Sequence, residues 1–568
     1  MGPIRRRSGV AAPSSWTWAG RTMQRPSATS FGSHSTVRTV PGDESTKPAR
    51  GPRIRPPCRW PSSTVWRKIT NRSQCFTPNT KPSMNDPLPA SRRVQPAKHR
   101  VRIRMYHQGL GDCLLLSFPR PEGSDFHMLV DCGVVLGTGE PGKVMRQVAE
   151  DIKAATGGKL DLLVITHEHW DHLSGFDPNQ AQDVFDSLEV NALWLAWTED
   201  EQNPTAKRLR EEREQKKEAA RKAKEAAAKL GLTERAGRMA ELLGFFGAQA
   251  AGVTSDEGDE GGGTAGALAF LKKKCQPNIL ETGSHLPLPG VEGVRVYVMG
   301  PPVEEADLKK TNPLKGEGFG LGLAPLSLTE SFFAAFDPTN PKAEEAQPFP
   351  RSVRCSLRKT APALRCYYAD EQAWRRIDDA WLATGERLAL QLDNATNNTS
   401  LVLALELEPS RDVLLLVGDA QAGNWRSWEN WKWRVREQGT ARTVTAADLL
   451  RQTIFYKVGH HGSHNATLKD KGLELMTSDR LAAFIPVDTR VAHEVKRWMH
   501  MPLPAIRERL EEKCAIVFQS DEKPKEIRSV PGTRFERAKQ TFPVRMKNAS
   551  KKAMETVRNQ SLYTDYFV

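Results

Sequence analysis

Short apolar runs, each bounded by glycine, proline or polar residues, recur along the chain from about residue 100 onward. Residues 101–105 alternate apolar and polar side chains, as a strand with one buried face does. The other runs are mostly apolar, which is typical of strands that are buried on both faces. We predict such strands over residues 114–116, 128–130, 160–165, 192–197, 294–299, 401–405, 412–417, 454–458 and 515–519.

One long segment breaks this pattern. Residues 207–229 are dense in Ala, Glu, Lys and Arg, and opposite charges recur three and four residues apart. Because these charges balance, they favour a solvated helix over an arm that binds nucleic acid. Residues 242–246 could dock this helix, and the Gly- and acid-rich run 255–263 is typical of a flexible linker. We therefore interpret 200–266 as a peripheral insertion within a larger domain.

The first 83 residues have no hydrophobic period and carry most of the net charge. The chain of 568 residues has a formal net charge of +14, of which residues 1–83 supply +13, from 15 Lys and Arg against 2 Asp and Glu. The remaining residues hold 67 basic and 66 acidic side chains, so their charge does not favour a DNA partner. The composition predicts a disordered basic tail. The alternatives are a transit peptide and a mispredicted start, in which case Met84 would be the true initiator.

The cysteines and the lengths of the apolar runs indicate where in the cell the protein is expected. Eight scattered cysteines form no CxxC pair, which is typical of a reduced, cytoplasmic protein. No run approaches the roughly 18 apolar residues of a membrane span, and no apolar segment follows the N-terminal arginines as a secretory signal requires. We therefore expect no membrane partner. Residues 531–568 form a basic C-terminal segment, for which we expect a surface helix.

The densest group of chemically active side chains is Thr-His-Glu-His-Trp-Asp-His, residues 166–172. His167 and His169 are two apart, so an extended chain points both the same way, and Asp171 and His172 follow at once. Three imidazoles and a carboxylate within six residues suit two adjacent divalent cations. The alternative is a polar loop whose histidines make ordinary hydrogen bonds. Further ligand types later in the chain favour the metal interpretation.

Those later candidates also stand at the ends of apolar runs. Asp131 follows the run 128–130, where it could instead cap a turn. Asp419 ends another run beside a glycine, and a carboxylate there could bridge two cations. A third run leads into His-His-Gly-Ser-His, residues 460–464. The sequence therefore predicts a metal site built from segments that are far apart in the chain.

Together these motifs resemble the metallo-β-lactamase superfamily, in its branch related to the competence DNA-uptake protein ComEC. The loop 166–172 is similar to the HxHxDH signature, and GxGDxxLL with LVDCG resembles the opening of the family. NNTSLVL, LLLVGDA and YKVGHHGSH then follow in the family's order. The resemblance covers about 100–200 and 280–520. It implies an α/β fold, the four-layer αββα sandwich, with a catalytic domain over 100–530.

The resemblance also implies a role for each candidate residue. His167 and His169 would bind the first metal, Asp171 and His172 the second, Asp419 would bridge both, and His460 would complete the second site, with His461 as the alternative. Asp131 would orient ligands, and Asp171 would orient the attacking nucleophile. His464 is expected to line the pocket, and His500 to lie near the site.

One departure from the family concerns the first metal. Many members supply a further histidine between the HxHxDH loop and the bridging Asp, but here the only histidine between residues 172 and 419 is His285. His285 stands before the run 294–299 in what we interpret as a surface hairpin. We therefore expect the first metal to be weakly held, or to be bound through water or substrate.

The resemblance implies hydrolysis by a hydroxide held between two divalent ions, either Zn²⁺ or Mn²⁺. The first hypothesis is a phosphodiesterase that acts on nucleic acid or nucleotides. The second is a hydrolase of small esters, thioesters or lactams, and the third is a metal-binding module without catalysis. The sequence does not indicate the oligomeric state.

Overall fold

The apolar runs form strands in the computed structural model of this protein. The structure describes residues 101–121, 123–229, 231–247, 263–314, 316–319, 389–390, 392–437, 439–522 and 562–568, with the single positions 352, 369 and 371. The strands are β1 (Arg102–Tyr106), β2 (Leu114–Phe118), β3 (Phe126–Val130), β4 (Lys159–Leu160), β5 (Leu162–Val164), β6 (Glu189–Val190), β7 (Leu193–Ala196), β8 (Pro277–Leu280), β9 (His285–Pro287), β10 (Val294–Gly300), β11 (Val402–Leu407), β12 (Asp412–Leu416), β13 (Lys432–Glu437), β14 (Thr440–Thr445), β15 (Thr453–Lys457), β16 (Ala482–Ile485), β17 (Ile516–Gln519) and β18 (Tyr563–Phe567).

Helices alternate with these strands through most of the chain. In chain order they are α1 (Pro141–Thr156), α2 (Trp170–Leu173), α3 (Gln182–Asp186), α4 (Pro204–Lys229), α5 (Thr233–Leu243), α6 (Gly263–Lys274), α7 (Glu305–Leu308), α8 (Ala422–Ser427), α9 (Ala446–Arg451) and α10 (Pro504–Lys513). None of the helices in the described part of the chain combines the length and apolar composition needed to cross a lipid bilayer.

Two seven-stranded sheets contain most of the strands. The first has the order β18-β1-β2-β3-β5-β7-β8, and the second has the order β17-β16-β15-β12-β11-β10-β9. In each sheet a set of parallel strands adjoins an antiparallel set, the parallel strands being β3, β5, β7 and β8 in the first sheet and β12, β15, β16 and β17 in the second. The pairs β4–β6 and β13–β14 form two small additional sheets.

Alternate residues along each strand divide the core into layers. Leu114 and Leu116 join an apolar cluster that both sheets share, whereas Leu115, between them, packs with the helix α1. In the second sheet, Leu414 belongs to the shared cluster and Leu415 packs on the helical side. Since neighbouring residues of a strand point to opposite faces, this division means that helices cover the outer face of each sheet. The predicted four-layer αββα fold is confirmed.

The inserted segment is helical, as the sequence predicts. Helix α4 has one buried face, which includes Ala219, Ala220 and Ala223, and this face packs against Met239 and Leu243 of α5. The predicted tail over 1–83 and the predicted linker over 255–262 lie outside the described residues. Most of the segment 320–388 also lies outside them.

The C-terminal segment differs from the expectation. Residues 563–567, which we expected to lie in a surface helix, form the edge strand β18 beside β1, and residues 531–561 of the same segment lie outside the described residues. Both oxygens of Asp565 accept hydrogen bonds from Arg104, at 2.8 and 3.0 Å. Tyr566 is buried between the sheets, where its ring lies 5.5 Å from that of Phe484. The physical reason is that β18 pairs the edge of β1, which would otherwise be open, and adds a second carboxylate, besides Asp151, to the buried Arg104.

We predict that Tyr566→Ala lowers the free energy of unfolding by about 3–5 kcal/mol, because it leaves a cavity between the sheets. Tyr566→Phe keeps the buried ring and serves as the matched control, with a much smaller loss. Urea denaturation of the three proteins measures the difference. An alanine variant as stable as the wild type would show that β18 contributes little to the core.

Candidate metal centre

The predicted ligands lie at the carboxyl ends of parallel strands, where the two sheets meet. Asp131 follows β3 and the loop 166–172 follows β5 in the first sheet. Asp419 follows β12, and the turn at residues 459–462 follows β15 in the second sheet. Because parallel strands place their carboxyl ends at the same edge, four segments that are far apart in the chain converge there.

Two glycines allow the backbones to approach closely at this edge. A Cβ on Gly133 would lie 2.4 Å from the carbonyl carbon of Asp171, which is closer than any side chain permits. Gly418 has a φ of 51°, and a Cβ there would lie 2.9 Å from the Cβ of Thr166. The first glycine therefore brings the end of β3 against the HxHxDH loop, and the second brings the end of β12 against it.

His167 and His169 face each other, as their spacing predicts. The distance from His167 Nε2 to His169 Nδ1 is 3.1 Å. The other nitrogen of His167, Nδ1, lies 3.1 Å from the Thr166 hydroxyl and 3.3 Å from the Ser400 hydroxyl. These hydroxyls hold the ring on one side, so Nε2 stays directed toward His169.

A second group forms around His172 and Asp419. His172 Nε2 lies 3.3 Å from an Asp419 oxygen and 3.8 Å from an Asp171 oxygen. His461 Nε2 lies 3.0 Å from the same Asp171 oxygen and 4.0 Å from Asp419. The rings of His167 and His172 are only 4.2 Å apart between centroids, so the two groups are adjacent.

The imidazoles of His172 and His461 are each held by a hydrogen bond at Nδ1, the ring nitrogen opposite the one that faces the carboxylates of the second group. His172 Nδ1 lies 2.8 Å from an Asp131 oxygen, and His461 Nδ1 lies 2.6 Å from the carbonyl oxygen of Pro486. Asp131 also accepts bonds from the Thr166 amide and hydroxyl. A histidine that donates one ring N–H to a carboxylate or carbonyl keeps its other nitrogen available for a metal. Asp131 thus has the orienting position that the family resemblance implies.

The turn after β15 brings His461, rather than His460, into the compact second group. His460 and His461 both have positive φ values, 43° and 52°, so the turn directs their side chains differently from an extended chain. His460 instead donates its backbone N–H to Asp419 Oδ1 at 3.0 Å. The geometry therefore favours His461, the alternative that the sequence left open, for completing the second site.

Asp112 and Lys457 belong to the site, although the sequence did not single them out. Asp112, His172, Asp419 and His461 each place a potential ligand atom within 4.8 Å of the others. However, Asp112 approaches the Nδ1 side of both histidines, at 3.8 Å, and is paired with Lys457. Lys457 also bonds to Asp419 Oδ1 at 3.2 Å. We interpret Asp112 and Lys457 as supporting residues behind the ligands.

Several buried polar atoms in this region have no hydrogen-bond partner among the described residues. They are His169 Nε2, Asp171 Oδ1, His172 Nε2, Asp112 Oδ1, Asp393 Oδ1 and His460 Nδ1. Buried polar atoms are normally paired, and leaving them unpaired costs free energy. Imidazole nitrogens and carboxylate oxygens are ligands of divalent zinc and manganese. The donor set therefore fits metal ions.

The electrostatics of the site also favour metal binding. Burial lowers the pKa of His167 well below its usual range and lowers that of His169 to about 3, so both rings are neutral at pH 7. Burial alone would raise the pKa of Asp171, but His172 and His461 lower it to about 2. Neutral imidazoles and ionised carboxylates are the protonation states that bind metals, and these three groups already have them. Burial alone would lower the pKa of His172 and His461, but the nearby carboxylates raise both, so a metal ion would displace protons from these two rings.

The other histidines singled out from the sequence form no described contact with either group, and the place of His500 near the site stays a prediction. His285 is exposed on β9, and its Nε2 lies 3.1 Å from the Arg434 carbonyl, so its prediction as a surface hairpin residue is confirmed. His500 is exposed. His464 is half-buried, with its Nε2 3.3 Å from an oxygen of Asn312. Lining of the pocket by His464 stays a prediction.

The insertion contacts the HxHxDH loop, which contradicts its interpretation as peripheral. Glu168, between the first two histidines, is buried and pairs with Arg213 at 3.1 Å and Lys217 at 3.2 Å, both on α4. Phe245 and Phe246, after α5, pack on the His169 ring with centroids 5.5 and 5.1 Å away. These contacts make the insertion one wall of the site.

A comparison with known protein families matches the part of the chain that contains the HxHxDH loop. Residues 111–252 match the family model of the metallo-beta-lactamase superfamily. Members of this superfamily are mostly hydrolases. The match includes the HxHxDH loop and Asp131, and it ends before Asp419 and His461. A search of curated proteins finds no match to the chain.

We predict that Glu168→Gln weakens both the fold and the metal centre. Removing one member of a buried ion pair costs about 3–5 kcal/mol, because the partner charges stay buried. The loop would also lose its anchor on α4, so metal affinity should fall. Chemical denaturation and metal content after dialysis measure the two effects.

Glu212→Gln is the matched control, because Glu212 pairs with Arg208 on the exposed face of the same helix. It should resemble the wild type in both measurements. If Glu168→Gln behaves like Glu212→Gln, the insertion does not hold the loop.

Proposed function

We propose that this protein is a metal-dependent phosphodiesterase that acts on nucleic acid or nucleotides. The observation that carries the proposal is the convergence of two adjacent His and Asp groups, one around His167 and one around His172, near Asp419. Sites of two adjacent cations are used by phosphatases and nucleases to stabilise the attacking and leaving oxygens. The match to the metallo-beta-lactamase superfamily supports a hydrolase.

The ligands divide between two ions. His167 and His169 would hold the first, Asp171, His172 and His461 the second, and Asp419 would bridge them. Divalent ions bound there, zinc or manganese, would supply Lewis-acid polarisation of the substrate and activation of water.

Asp171 can orient the nucleophile. One of its oxygens, Oδ2, is held by His461 Nε2 at 3.0 Å, while Oδ1 is buried without a partner among the described residues. The carboxylate stays ionised at neutral pH because its pKa is about 2. Such an oxygen can accept a hydrogen bond from water and place it for attack.

Lys496 favours an anionic substrate, such as a phosphodiester, over an uncharged ester. This lysine is buried beside Trp498, whose ring stacks on Phe245. Burial lowers its pKa, whereas the charges of Glu241 and Asp171 raise it, so its ammonium lies within electrostatic reach of the site. A cation there would attract an anionic phosphodiester.

Hydrolysis of a substrate panel tests the proposal. The purified chain, loaded with Mn²⁺ or Zn²⁺, should cleave single-stranded DNA or bis-p-nitrophenyl phosphate and should leave nitrocefin intact. Asp171→Asn should lower kcat by roughly 10²–10⁴-fold, because the nucleophile loses its orienting base. His285→Gln, a change on the surface, should match the wild type. Cleavage of nitrocefin alone would indicate a lactam or ester hydrolase instead.

We also predict that Lys496→Met raises KM for bis-p-nitrophenyl phosphate more than it lowers kcat, since it removes an attraction to the anionic substrate. Lys469→Met, at an exposed position, is the control and should leave both constants unchanged. Steady-state kinetics separate the two constants. An unchanged KM in Lys496→Met would remove the charge argument for a phosphoryl substrate.

A further inference from the structure

The first metal position lacks the third histidine that many superfamily members have, but a helical turn closes that side of the site. Residues 392–397 are helical and end just before Ser400, which contacts His167. Asp393 and Asn397 are one helical turn apart and share a face of this turn. Both side chains are buried, and they face the two histidines of the first group.

Asn397 directs its amide oxygen at His167. Asn397 Oδ1 lies 3.0 Å from His167 Nε2, and His169 Nδ1 lies 3.1 Å from the same nitrogen. Ligand atoms of one tetrahedral ion with metal–ligand distances of about 2.0–2.2 Å are themselves roughly 3.3–3.6 Å apart. His167 Nε2 thus lies from each of the other two atoms at a distance slightly below that spacing, as expected for side chains that converge on one ion.

Asp393 directs an oxygen at the other nitrogen of His169. Asp393 Oδ1 and His169 Nε2 are 3.8 Å apart, and neither atom has a hydrogen-bond partner among the described residues. If His169 binds the metal through Nδ1, its Nε2 carries the proton. A histidine in this state normally donates that N–H to a carboxylate, a carbonyl or water. Asp393 is the carboxylate in that position.

We propose that this turn completes the first metal site in place of a third histidine, with Asn397 as an oxygen ligand and Asp393 as the positioning residue of His169. The inference rests on the metal centre of the proposed function. It identifies two residues far from the HxHxDH loop in sequence, and it gives the first ion a neutral amide oxygen where an imidazole is usual.

Titration of the metal-free chain with Co²⁺ tests the proposal without any substrate. The visible absorption of Co²⁺ reports its ligands, and metal content after dialysis gives the number of ions bound. The wild type should bind two. Asn397→Ala should bind one tightly, and Asn397→Asp, which replaces the amide by a carboxylate of the same shape, should bind two with an altered spectrum.

Asp393→Asn should weaken the first ion by roughly 10–100-fold, as expected when an outer carboxylate partner of a ligating histidine is removed. Asn394→Ala is the matched control on the same turn. Asn394 bonds to Gln421 and Asn465 and contacts no proposed ligand, so this variant should bind two ions like the wild type.

Two ions with wild-type affinity and spectrum in Asn397→Ala would overturn the proposal, because Asn397 would then only accept a hydrogen bond from His167. An equal loss of bound metal in Asn394→Ala would also overturn the proposal, because the loss would then come from damage to the helical turn. If Asn397→Ala does not fold, an unchanged Co²⁺ spectrum in Asn397→Asp is the contradicting result.

Failure of this inference can be distinguished from failure of the proposed function. A wild-type chain that binds two ions but cleaves no phosphodiester would refute the phosphodiesterase and leave this inference standing. A wild-type chain that binds fewer than two ions would refute the inference itself.

Discussion

Burial of negative charge without enough positive charge is the constraint on which the edge of the sandwich depends. Asp112, Asp131, Asp171, Asp393 and Asp419 are each at most 5% exposed. Among the described residues, Lys457 is the lysine or arginine that forms ion pairs with this group, and within the group it pairs with Asp112 and Asp419. An unpaired buried charge costs several kcal/mol, so in the metal-free site burial raises the pKa of Asp112 and Asp393, and the nearby carboxylates raise the pKa of His172 and His461, which then carry positive charge. Two divalent ions would balance the carboxylates and connect the two sheets.

The surrounding structure is arranged to tolerate this concentration of charge. Glycines at 133 and 418 let three backbone segments approach closely, and hydroxyls and carboxylates fix the outer nitrogens of the histidines. The insertion supplies the remaining support, since Arg213 and Lys217 neutralise Glu168 within the ligand loop. A helix that looks like a solvated elaboration in sequence is therefore joined to the metal centre by a buried ion-pair network.

Local patterns in the sequence predicted the ligand loop, the inserted helix and most strands of the two large sheets, because each depends on residues close together in the chain. The core strand β16 and the pair β13–β14 were not predicted. Features that depend on distant pairing were missed. The strand β18 exists because β1, more than 450 residues earlier, offers an edge and Arg104 offers a charge. His461 rather than His460 faces the second group because two successive residues adopt left-handed backbone, which spacing alone does not reveal. Asn397 lies within a motif that resembles the family, but only the fold shows that it faces His167.

Metal content of two variants tests most directly the claim that Asp419 joins two adjacent cations. Asp419→Ala and His461→Ala should be compared as folded proteins, with bound metal counted by mass spectrometry after dialysis. A bridging carboxylate contacts both ions, so Asp419→Ala should lose both, whereas His461→Ala should lose mainly the second. Two tightly bound ions in Asp419→Ala, or equal losses in both variants, would contradict a shared two-metal centre.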